Sequence, residues 1–108
     1  MVLSQTRALV QKDFEVEYIP DDVTEEELLL FLSQMITEWM EQDMNRLFYA
    51  LYRLDISEQK VTLALSPLAT TPAAEAIALL ILDREKQKAL TRIEYNQKYK
   101  EEGNGWNN

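Results

Sequence analysis

From Pro72 to Gly103 no glycine or proline interrupts the chain. The same holds from Pro20 to Pro67, because the whole sequence contains only two glycines and three prolines in 108 residues. An all-β fold needs many tight turns, and glycine and proline are the residues that make them. The scarcity of breakers therefore predicts an all-α fold: a bundle of three or four helices with a long C-terminal helix and an extended N-terminal arm. A chain of this length can bury about two-thirds of its unfolded surface, enough for one core and too little for two.

The arm is expected over 1–22. Phe14, Val16 and Tyr18 alternate with Glu15 and Glu17, a period of two that fits a short strand or an extended segment lying on the helices. The helical domain is expected over 23–101. Its first helix opens at a capping box formed by Thr24 and Glu27, with Val23 and Leu28 as a hydrophobic staple. Leu28, Leu32, Met35, Ile36, Trp39 and Met40 then recur at helical spacing. Asp43 is read as the N-cap of a second helix, whose stripe is Met44, Leu47, Phe48, Leu51 and Leu54. One continuous helix over 24–54 is the alternative. Ser57 is read as the N-cap of a third helix ending before Pro67, although Val61, Leu63 and Leu65 also fit a strand. Thr71 as N-cap and Pro72 as the first helical residue open the fourth. It should run to about Lys100, a length of about 43 Å against about 28 Å for the first helix. A disordered tail is expected over 102–108. The predicted core is Leu28, Leu32, Met35, Trp39, Phe48, Leu51, Ile77, Leu80 and Ile81.

Composition excludes several chemistries. The chain has no cysteine and no histidine, so disulfides, thiolate catalysis and the commonest general base and metal ligand are missing. Glu25, Glu26 and Glu27 suit the first turn of a helix, where the macrodipole and free amides stabilise acids, and do not make a metal site alone. No nucleophile elbow, phosphate loop, dinucleotide fingerprint or zinc spacing occurs. A non-enzymatic protein is expected, with no catalytic residues, no metal and no cofactor. No apolar run is long enough to span a bilayer, and Met1–Asp13 lacks a signal-peptide core; the expected location is the cytoplasm.

The net charge is −8, which disfavours nucleic acid and anionic membranes as partners. It is unevenly spread. Met1–Asp43 carries two basic and eleven acidic residues, whereas Arg84–Lys100 carries six basic and two acidic. The second half of the fourth helix should overhang the bundle, so Leu90, Ile93, Tyr95 and Tyr99 are the candidate partner-binding residues; the rival reading is that the arm from Phe14 to Ile19 folds back and covers the same stripe. A protein partner or a second copy of the chain is expected, the homodimer being favoured. The alternative is a small-molecule binding protein or minor enzyme using Tyr49, Arg53 and Asp55, within the aromatic and charged stretch Asn45–Asp55. A concave apolar pocket with Arg53 facing into it favours that alternative, and a flat surface with an exposed apolar stripe favours the interaction role.

The segments DMNRLFYALYRLDISEQKV (43–61) and LLILDREKQKALTR (79–92) are similar to small uncharacterised bacterial helical proteins of unknown function. The resemblance covers about 43–92. It implies an all-helical fold and assigns no site residues.

Overall fold

A computed structural model describes residues 1–106, with side chains described through Lys100; the tail expected over 102–108 lies outside the residues described in full. The chain forms α1 (Val2–Asp13), α2 (Glu25–Gln42), α3 (Met44–Arg53), α4 (Glu58–Leu65) and α5 (Ala73–Trp106). It is an all-helical bundle in which the long α5 packs against α1, α2 and α4. There is no strand among the described residues.

The helix starts follow local chemistry. Thr24 Oγ1 accepts from the Glu27 amide at 3.1 Å, and the Glu27 carboxylate accepts from the Thr24 amide at 3.0 Å. These bonds satisfy orphan amides at both positions and hold the Glu27 carboxyl below its ordinary pKa. Val23 and Leu28 pack at the staple positions. A single residue separates α2 from α3. The Asp43 amide donates to the Trp39 carbonyl at 2.8 Å, and its carboxylate accepts from the Arg46 amide at 3.2 Å. Asp43 thus closes one helix and caps the next, and the chain turns. Ser57 caps α4 in the same way, accepting from Lys60 at 3.5 Å. At α5 the Pro72 carbonyl accepts from Ala76, so Pro72 stands one position outside the helix that begins at Ala73.

The N-terminal arm is a correction. Its first half is α1, which brings the helices among the described residues to five. Thr6, Leu9 and Val10 are buried on one face of it, and the Thr6 hydroxyl is satisfied by donating to the Val2 carbonyl at 2.7 Å. The alternating segment is no strand: Phe14 and Ile19 are buried, while Tyr18 is 71% exposed. The chain instead leaves α1 through a Schellman turn. Val16 donates to Gln11 and Glu15 donates to Lys12, with Glu15 in the left-handed region at φ 54°. That position is usually glycine. A glutamate there hides the helix end from any reading based on breakers.

The core joins Val10, Phe14 and Ile19 to Leu28, Leu32, Ile36 and Trp39 of α2, Leu47, Leu51 and Leu54 around α3, and Ile77, Ala78, Ile81 and Leu82 of α5. Six of the nine residues predicted for the core are buried, and Met35 and Leu80 are half-buried. Phe48 is 45% exposed, because Leu47, Leu51 and Leu54 already present the buried face of so short a helix and position 48 lies about 100° around from Leu47.

Candidate functional site

A groove of about 300 Å³ opens where the end of α1, the end of α2, α3 and α5 meet. Phe14 and Trp39 form part of its wall, their rings 5.8 Å apart. Asp43 sets this corner, since the turn it caps swings α3 back so that the Arg46 guanidinium lies over the Trp39 ring at 4.7 Å. One further turn pair along α3, Arg53 lies over Tyr49 at 5.8 Å. Residues 46, 49, 50 and 53 share one helix face and all line the groove, with Lys88 on the α5 side.

Beside the groove lies a buried charge cluster. Glu85 is 0% exposed, although it belongs to a polar stretch of sequence. Its position continues the buried row Ala78, Ile81, Leu82 and Ala89, one to two turns apart on the core face of α5. Lys88 Nζ stands 2.7 Å from Asp13 Oδ2 and 3.1 Å from Glu85 Oε1. The latter is an ion-pair contact outside hydrogen-bond geometry, so neither Glu85 oxygen has a hydrogen-bonded partner. Burial first, and the neighbouring Asp13 second, push the Glu85 carboxyl up to about 7. Burial also opposes ionisation of Asp13, but its bond to Lys88 and the neighbouring Glu85 carboxyl outweigh this and hold it below the ordinary value. Lys88 loses ionisation to burial and regains more from Asp13 and Glu85, so its pKa is raised. One proton thus favours Glu85, leaving Asp13 and Lys88 as a charged pair.

The structure divides the residues expected to form a ligand patch. Tyr49 and Arg53 meet in the groove. Asp55 does not join them: it faces a separate hollow with Ser57, Lys60 and Arg84. Asp55 also has a conformational task. It adopts φ 58° and ends α3 in a second Schellman turn, in which Ile56 donates to Leu51 and Asp55 to Tyr52. Asp13, Trp39, Arg46, Glu85 and Lys88 were not expected in a site. For Glu85 the sequence does carry a signal, a glutamate on the apolar row of α5. For the others it carries none, because their meeting depends on how four helices pack.

Among the described residues, the four candidate partner-binding residues lie beyond the last buried residue of α5, Ala89. Ile93 is half-buried, and no residue from Leu90 to Lys100 is buried. Tyr95 and Tyr99 stack at 6.3 Å while 66% and 65% exposed. Helical geometry puts Leu90 and Ile93 on one side of α5 and Tyr95 and Tyr99 on nearly the opposite side. The tyrosines share their side with Arg92 and Lys88, so that face runs on from the groove.

Among the described residues no three acidic side chains gather to hold a metal ion, and no helix is long and apolar enough to cross a membrane. In comparisons with known proteins, no family model, no curated protein and no solved structure matches the chain.

Proposed function

We propose that this chain is a non-enzymatic protein-interaction module whose first partner is a second copy of itself. The carrying observation is that α5 outruns its bundle: nothing from Leu90 to Lys100 is buried, yet this stretch bears Leu90, Ile93, Tyr95 and Tyr99. The radius of gyration is 16.2 Å, against about 13 Å for a compact domain of this length. Tyrosine is enriched in interface cores because it buries a large ring while keeping a polar tip. The basic character of Arg84–Lys100 also complements the eleven acids of Met1–Asp43. Two contacts, Lys86 with Glu25 and Lys88 with Asp13, already use that attraction within one chain. In a two-fold dimer each overhang lies on the acidic region of the other copy, giving two equal contacts. The proposal includes a cytoplasmic location and no role for nucleic acid.

Light scattering at micromolar concentration tests it. The expected mass is about twice 12.6 kDa, and Tyr95→Glu with Tyr99→Glu returns the protein to single-chain mass with its melting temperature at low concentration unchanged. Leu90→Asp with Ile93→Asp should act alike if both sides of the helix are covered. Single-chain mass for the unmodified protein at every concentration refutes the proposal.

A further inference from the structure

We propose that the groove between α3, the end of α1 and α5 is a binding site for a small organic anion: a flat apolar ring system bearing one carboxylate or phosphate group. The proposal is independent of self-association. The chain carries net −8, yet this groove gathers Arg46, Arg53 and Lys88. Lys88 is neutralised by Asp13. Neither arginine has a carboxylate within ion-pair distance among the described residues. Each guanidinium instead lies over an aromatic ring, Arg46 on Trp39 and Arg53 on Tyr49. A stacked guanidinium is held in orientation and keeps its N–H edge free, the edge that grips carboxylate and phosphate oxygens in pairs. Two such groups two turns apart on α3 are therefore pre-arranged donors without an acceptor.

The walls select the rest of the ligand. Phe14, Trp39, Ala50 and Leu54 supply apolar surface between the cations. A volume of about 300 Å³ is at the small end of ligand sites, and its lining mixes these apolar groups with about as much polar surface. It admits a bicyclic ring and one anionic group. Glu15 also lines the groove and has no cation partner among the described residues. Its charge opposes an anion, so its removal should tighten binding.

The experiment uses the full chain carrying Trp106→Phe, so that Trp39 is the sole tryptophan and reports from the groove wall. The probes are 1-naphthoate, 1-naphthyl phosphate and inorganic phosphate, followed by tryptophan emission and by calorimetry. Saturable binding of both naphthyl probes, one per chain, is expected, with inorganic phosphate at least tenfold weaker. Arg46→Ala and Arg53→Ala should each weaken the naphthyl probes about tenfold, the scale of one lost hydrogen-bonded ion contact. Both arginines are exposed, so an unchanged melting temperature is expected and separates lost binding from lost folding. Arg46→Lys should restore only part of the affinity, and Glu15→Gln should increase it. Binding should persist in Tyr95→Glu, Tyr99→Glu. No saturable binding of either naphthyl probe at millimolar concentration overturns the proposal, as does binding that both arginine variants leave intact. Inorganic phosphate binding as tightly as 1-naphthyl phosphate overturns the part assigned to the aromatic walls.

Discussion

Glu85→Gln should remove most of the pH dependence of stability that this core builds in. Glu85 is fully buried and its carboxyl is pushed up to about 7 from 4.5. Between those two values the folded chain holds a proton that the unfolded chain has released. Stability therefore falls as pH rises through this window, and the full benefit is present below it. At about 1.4 kcal/mol per pH unit, the loss between pH 4.5 and pH 7 amounts to about 3 kcal/mol. Asp13 and Lys88 work in the opposite sense, since their shifts favour the charged forms and stabilise the fold where both are ionised. Their 2.7 Å contact is untouched by the substitution. Glutamine copies the shape of the protonated acid and cannot lose a proton. Urea unfolding followed by circular dichroism from pH 5 to pH 8 should show the two proteins within about 1 kcal/mol at pH 5 and the variant more stable by about 2–3 kcal/mol at pH 8. General repulsion among the excess acids affects both proteins, so their difference isolates Glu85. Two parallel stability curves over this range would refute the assignment of a shared proton to a buried glutamate.

Ile81→Ala should cost about 2–5 kcal/mol, because Ile81 is completely buried in the centre of α5 and a cavity would remain. Leu79→Ala, on the exposed side of the same turn, should cost under about 1 kcal/mol; equal losses in urea unfolding would mean that α5 is rotated from the orientation described. Glu15→Gly should stabilise the protein by about 1 kcal/mol, read as a rise in melting temperature, since a side chain at φ 54° pays a steric cost that glycine avoids. An unchanged or lower melting temperature would count against the turn that ends α1.

Much of the fold is legible in the residues because it is set locally. A capping box, a lone aspartate cap and a serine cap need only neighbours within four positions, and Thr24, Asp43 and Ser57 each start a helix where the pattern places one. The long α5 is equally local, an unbroken stretch with an apolar first half. The helix ends were harder. Glu15 and Asp55 occupy left-handed positions that glycine would announce, and without that marker the sequence of α1 reads as an arm. Which face of each helix meets another depends on packing, a non-local matter: Phe48 fits its stripe as well as Leu47 does, and is exposed only because α3 is short and leans on Leu47, Leu51 and Leu54. The candidate site is almost wholly of this second kind. Tyr49 and Arg53 are one turn apart and could be paired from spacing alone. Arg46 on Trp39, and Lys88 between Asp13 and Glu85, join residues from four helices. The ionisation of Asp13, Glu85 and Lys88 is governed by burial and by one another, a setting that comes into being only when α1 and α5 close on one another.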